Sequence, residues 1–155
     1  METLPRPIEL DWETGACARV PYRLYTDPAI YERELERFFY GSHWCYVGLA
    51  AEIPNPGDFK RSAIGGRQVI MVRARDGGIA VVENRCAHRG VQFCQRAFGS
   101  TKTFVCPYHQ WSYDLKGNLI GLPFRKGVRQ GDRINGGMPD DFELAEHGLT
   151  QLVVE

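Results

Sequence analysis

The sequence predicts a mainly β domain, of the antiparallel sandwich or barrel-like kind, preceded by one helix. Three observations predict it. From residue 42 onward, apolar residues come in short runs of strand length divided by glycine-containing turns. Before that point a single segment carries helical rather than alternating spacing. The composition is globular, at 43 % hydrophobic and 25 % charged residues, too apolar for a disordered chain.

The elements come in this order. Residues 1–26 are proline-broken and aperiodic, and read as an extended arm. A helix is expected over 28–40. Asp27 is placed to cap it, Pro28 suits its first turn, and Gly41 suits its end. Ile30, Tyr31, Leu35, Phe38 and Phe39 are expected to share one face that docks on the domain. Trp44, Tyr46, Val47 and Leu49 are read as the first strand, with Cys45 in the core beside them. Pro54-Asn55-Pro56-Gly57 is a turn, and strands are expected at 58–64, 68–73 and 79–83, the last two joined by the hairpin signal Asp76-Gly77-Gly78. Further short strands are expected at 104–105, 111–113 and 119–122, the latter two joined by a Lys116-Gly117-Asn118 turn. Residues 121–140 read as a long glycine-rich loop, and 149–155 as a strand in progress. The resulting division is an arm and helix over 1–41 and a β domain over 42–155.

Charge and targeting narrow the function. Nineteen Lys and Arg balance nineteen Asp and Glu, so there is no global pull toward nucleic acid or an acidic membrane face. No apolar run is long enough to span a bilayer, and the start resembles no signal peptide. The expected setting is cytoplasmic, with neither nucleic acid nor membrane as partner. Five cysteines are too few for a disulfide scaffold in 155 residues; in a reducing compartment, spaced cysteines more often hold metal.

Two segments carry that chemistry: Cys86-Ala87-His88-Arg89-Gly90 and Cys106-Pro107-Tyr108-His109-Gln110-Trp111. Each comes after an expected strand and offers one thiolate and one imidazole. Common zinc fingers group cysteines with cysteines and histidines with histidines along the chain. The alternating order here suits a two-iron cluster in which Cys86 and Cys106 hold one iron and His88 and His109 the other, the Rieske arrangement. Neutral imidazoles in place of thiolates remove negative charge, so an added electron is better tolerated and the potential rises. The bland readings remain beside this one: a zinc-stabilised binding module, and buried or free thiols at Cys17, Cys45 and Cys94. His43 and His147 lack ligand-spaced neighbours and read as structural or surface residues.

At these boxes, and at Asn84-Arg85, Ser112-Tyr113, Gly117-Asn118-Leu119, residues 43–48 and residues 52–59, the sequence resembles the large (alpha) subunits of Rieske non-haem iron aromatic-ring-hydroxylating oxygenases. Within that family it is most similar to salicylate 5-hydroxylase and anthranilate dioxygenase large subunits. The resemblance implies the Rieske [2Fe-2S] fold, an antiparallel β-sandwich with a small cluster-binding subdomain at 85–122. It implies that Cys86, His88, Cys106 and His109 bind the cluster, with Arg89, Gly90, Tyr108, Gln110 and Trp111 around them. Trp111 is expected to pack under the cluster loop. It further implies electrons arriving from NADH through a reductase or ferredoxin, a small (beta) subunit, and a homotrimer of large subunits. A mononuclear non-haem iron, which in the family hydroxylates the aromatic ring, belongs to a catalytic domain expected outside this chain. A free-standing Rieske-type ferredoxin is the alternative.

Two departures carry expectations. The extra disulfide-forming cysteines of respiratory Rieske proteins are replaced by Val91 and Tyr108, and no hydroxyl residue comes directly after His109. This predicts a potential in the lower half of the roughly −150 to +300 mV Rieske range. Gln110 stands where much of the family has glycine, which predicts an ordinary backbone angle there.

Overall fold

A computed structural model describes residues 20–155. The chain forms two compact units, the first ending at Cys45 and the second running from Tyr46 to Glu155.

In the first unit a four-residue helix, α1 (Arg23–Thr26), occupies part of the expected arm. Cys17 lies outside the described residues. The main helix begins as expected: the Asp27 carboxylate accepts from the Ala29 N–H, and Pro28 opens α2 (Pro28–Glu34). The helix then continues as a π-helical turn, Leu35–Phe39. The wider turn shifts the angular phase of the residues beyond it. Ile30 and Leu35 are buried, but Phe38 and Phe39 leave their face and stay largely exposed, as does Tyr31. The expected single aromatic stripe is therefore not formed.

The second unit is built on a five-stranded antiparallel sheet, in spatial order β10 (Gln151–Leu152), β3 (Ile79–Glu83), β2 (Arg67–Arg73), β1 (Asp58–Ile64) and β4 (Phe98–Ser100). Its centre matches the sequence expectation: β1 (Asp58–Ile64), β2 (Arg67–Arg73) and β3 (Ile79–Glu83) pair in sequence as a meander. β2 is the most buried strand, because its alternate residues enter two cores. Ile70 and Val72 join Phe59, Val82, Phe93, Phe104, Trp111, Tyr113 and Leu119 on one face. Val69 and Met71 join Ile53 and Val81 on the other. A three-stranded sheet, β5 (Phe104–Val105), β6 (Ser112–Tyr113) and β7 (Leu119–Gly121), contributes its apolar residues to the first core.

Four expectations are corrected. Residues 44–49 form no strand, and Trp44, Tyr46 and Leu49 are exposed; Cys45 is half-buried rather than core. The sheet edge beside β1 goes instead to β4 (Phe98–Ser100), whose Phe-Gly-Ser sequence has little strand character. The expected 121–140 loop contains a two-stranded hairpin, β8 (Val128–Gln130) and β9 (Arg133–Asn135). The terminal alternation is a strand only over β10 (Gln151–Leu152). No described helix is long and apolar enough to cross a membrane.

Candidate metal centre

The two Cys/His boxes fold as copies of one turn. In the first, which lies after β3, the Gly90 N–H donates to the Cys86 carbonyl and the Cys86 N–H to the Val91 carbonyl, both at 2.8 Å. In the second, which lies after β5, the Gln110 N–H donates to the Cys106 carbonyl and the Cys106 N–H to the Trp111 carbonyl, both at 2.9 Å. The fifth residue of each turn is left-handed: Gly90 has φ 69° and Gln110 φ 57°. The expectation of an ordinary angle at Gln110 is thus wrong. The turn imposes the same conformation in both boxes, and Gln110 adopts it although a Cβ there is unfavourable. Gly90 meets a second constraint, since a Cβ on it would sit 3.1 Å from Nε of Arg85.

The turns bring like ligands together. Cys86 and Cys106 are buried, and their thiols are close enough that the neighbouring Cys86 raises Cys106 further. The rings of His88 and His109 lie 4.6 Å apart, edge to face. The chain order alternates thiol and imidazole, yet in space thiol faces thiol and imidazole faces imidazole.

Burial sets the local electrostatics. It pushes the Cys106 thiol up, opposed by the Tyr108 and His109 backbone amides. It lowers His88, which the positive charges of His109 and Arg89 lower further. Arg89 itself is exposed. Nδ1 of His88 is buried without a hydrogen-bond partner. Such an orphaned nitrogen is costly in a folded protein unless something coordinates it. A metal on that atom, with buried thiolates opposite, fits the donor set of a Rieske cluster. Among the described residues no three His, Cys, Asp or Glu gather as a single-ion site would require. The donors come as two pairs.

Two of the surrounding residues lie against the imidazoles. Trp111 is buried and stacks on His88, with centroids 4.8 Å apart and planes 9° from parallel. Exposed Tyr108 lies against His109 at 3.8 Å. Two further residues were not anticipated. The Tyr113 hydroxyl, on β6, is 3.2 Å from the Cys86 sulfur and accepts from the Ala87 N–H. Burial, and then the neighbouring Cys86, push its ionisation well above the ordinary phenol range. Buried Asn84 exchanges two hydrogen bonds with the Cys94 backbone, at 2.7 and 2.9 Å, bridging the chain on either side of the first box. Tyr113 had a sequence signal, because a tyrosine in a short core strand must find a partner for its hydroxyl.

The remaining candidates stay out of the site. His43 is exposed and packs on Phe38. Cys94 is buried, with its thiol toward the Arg96 carbonyl. His147 is held by the Glu143 carbonyl and by Phe142, reaching Trp111 only through ring contact at 6.1 Å.

Comparison with known proteins identifies the family. The family described as Rieske [2Fe-2S] domain matches residues 43–132. The large oxygenase component of salicylate 5-hydroxylase from Ralstonia sp is 62 % identical over 96 % of this chain and 35 % of its own length. The anthranilate 1,2-dioxygenase large subunit from Burkholderia cepacia is 46 % identical over 89 % of this chain and 32 % of its own. The crystal structure of naphthalene 1,2-dioxygenase from Rhodococcus sp. superposes with a TM-score of 0.71 and 32 % identity, covering 85 % of this chain and 28 % of that one. The chain spans about a third of the length of the curated relatives it matches. It belongs to the Rieske [2Fe-2S] domain family, and within that family it is similar to the large subunits of oxygenases.

Proposed function

We propose that this chain is the electron-transfer domain of an aromatic-ring-hydroxylating oxygenase large subunit. In this reading it relays NADH-derived electrons, received through a reductase or ferredoxin, toward a mononuclear iron that hydroxylates an aromatic carboxylate such as salicylate or anthranilate. The observation that carries the reading is the pairing in space of Cys86 with Cys106 and of His88 with His109, with Nδ1 of His88 buried and unpartnered. Cys86 and Cys106 would hold one iron, and His88 and His109 the other. When bound, the cluster accepts and releases one electron at a time. The chain's residues supply the setting: Trp111 stacks on the His88 ring, the Tyr113 hydroxyl would donate to a metal-bound Cys86 sulfur, and Arg89 adds positive charge. The Rieske domain proper would run over 42–155, with residues 85–122 forming the cluster-binding part.

The substrate class and the partners rest on the relatives, which are named as large subunits or components of oxygenases acting on salicylate and anthranilate. A small (beta) subunit and a trimer of large subunits belong to the same proposal. The described residues present no ligand set for a mononuclear iron. The test is spectroscopic: reduced protein carrying iron and sulfide gives the rhombic EPR signal of a Rieske centre, and His88→Cys or His109→Cys abolishes it. A zinc-loaded, colourless preparation overturns the reading.

A further inference from the structure

The chain is neutral overall, yet its positive charge is uneven. The β8–β9 hairpin, residues 124–136, carries Arg125, Lys126, Arg129 and Arg133 against Asp132, while the exposed acids Asp140, Asp141 and Glu143 follow beyond its neck. All four cations are exposed. Ion pairs among the described residues include Arg23–Asp27, Lys60–Glu52, Arg67–Glu83 and Lys116–Asp76, and none of these involves the hairpin. Exposed Val128 and Ile134 lie among the cations, so the arm offers apolar as well as charged contact.

The hairpin is also built to hold its position. Its neck is closed by the Met138 N–H donating to the Arg125 carbonyl at 3.0 Å. Gly127, at φ +76°, sits so close to the returning strand that a Cβ would lie 2.6 Å from Ile134 and 2.8 Å from the Gly136 carbonyl. The Arg125 guanidinium donates to the Phe142 carbonyl, and Phe142 packs edge-on against Trp111, which stacks on His88. A cationic arm is thus fastened, through two aromatic rings, to the imidazole side of the candidate cluster site.

We infer that the β8–β9 hairpin is a docking arm for an acidic, one-electron carrier protein that reduces the cluster. The inference rests on the Rieske reading above. Charge complementarity selects the occupant: an exposed arm of net charge +3, in a chain whose remaining residues sum to −3, attracts an acidic surface and raises its encounter rate. Once the carrier has docked, one electron leaves the reduced carrier and enters the oxidised centre, with no bond made or broken.

The test uses the cluster-loaded chain and a plant-type [2Fe-2S] ferredoxin, an acidic carrier, with basic cytochrome c as the opposite probe. Arg129→Glu plus Arg133→Glu is compared with Arg75→Glu plus Lys102→Glu, the same charge change outside the hairpin. At low ionic strength the hairpin variant is expected to weaken ferredoxin binding, read as Kd by calorimetry, by roughly tenfold or more. Reduction by ferredoxin slows in parallel, oxidation of the reduced protein by cytochrome c accelerates, and the EPR spectrum does not change. Equal ferredoxin Kd in parent and hairpin variant, or an equal loss in the control variant, overturns the inference. So does a change in self-association in place of ferredoxin binding, since the arm would then serve a second copy. A parent protein without a Rieske spectrum overturns the functional reading instead, while the Kd comparison still decides the docking arm.

Discussion

The hydroxyl of Tyr113 reaches the sulfur of Cys86 at 3.2 Å from a side chain with no solvent exposure. Against a metal-bound thiolate the hydroxyl must be the donor, and donation stabilises the more negative, reduced cluster. Tyr113→Phe should therefore lower the potential. A hydrogen bond to charge worth ~1–2 kcal/mol corresponds to roughly 40–90 mV for one electron. Protein-film voltammetry reads the shift directly, and the EPR line shape should persist.

The potential of the unaltered protein should fall in the lower half of the roughly −150 to +300 mV Rieske range. The two boxes carry no cysteine pair beyond Cys86 and Cys106, and Cys86, Cys94, Cys106 and Cys45 are all free. Tyr113 supplies one hydroxyl donor, and Gln110 supplies none at the position after His109. A value above about +200 mV by the same voltammetry contradicts this.

Gln110 holds φ 57° where its counterpart in the other box is Gly90 at φ 69°. Gln110→Gly should relieve the left-handed strain and stabilise the fold by ~1 kcal/mol. That corresponds to roughly 2–4 °C in thermal midpoint for a domain of this size. Scanning calorimetry on cluster-loaded protein checks it.

Asn84→Ala should be costly. It leaves the buried Cys94 N–H and carbonyl without the partners they have at 2.9 and 2.7 Å. Two unsatisfied backbone groups cost ~2–4 kcal/mol, which denaturant titration would show together with faster cluster loss.

Burial raises the Cys94 thiol above its ordinary ionisation. The folded chain therefore holds that proton more tightly than the unfolded chain. Its contribution to stability is complete below the free-thiol pKa of about 8.5 and declines as pH rises past it. Iodoacetamide at a pH of about 8.5, where a free thiol is half ionised, should spare Cys94 in native protein and modify it after denaturation, as peptide mass mapping would show.

Much of this was legible in the residues. The three central strands arise from strand-length apolar runs and the Asp76-Gly77-Gly78 turn, which leave little choice of register. The four candidate ligands emerge from their types and spacing, since few other chemistries use two Cys/His boxes in this order. What escaped was set by tertiary context. Residues 44–49 alternate like a strand, but β4 and β10 hold the edges of the sheet. The π-helical turn rotated Phe38 and Phe39 off the helix's buried face. Gln110 took a backbone angle that its side chain disfavours, because hydrogen bonding in the turn dictates the angle. The β8–β9 hairpin was hidden by its glycines and charges, which read as loop.

Pulsed EPR on the reduced, cluster-loaded protein tests the paired ligation most directly. Hyperfine coupling to two imidazole nitrogens is expected, one from His88 and one from His109, with each substitution to cysteine removing one coupling and the ordinary Rieske line shape. Coupling to no nitrogen, or a spectrum unchanged when either histidine is replaced, would contradict it.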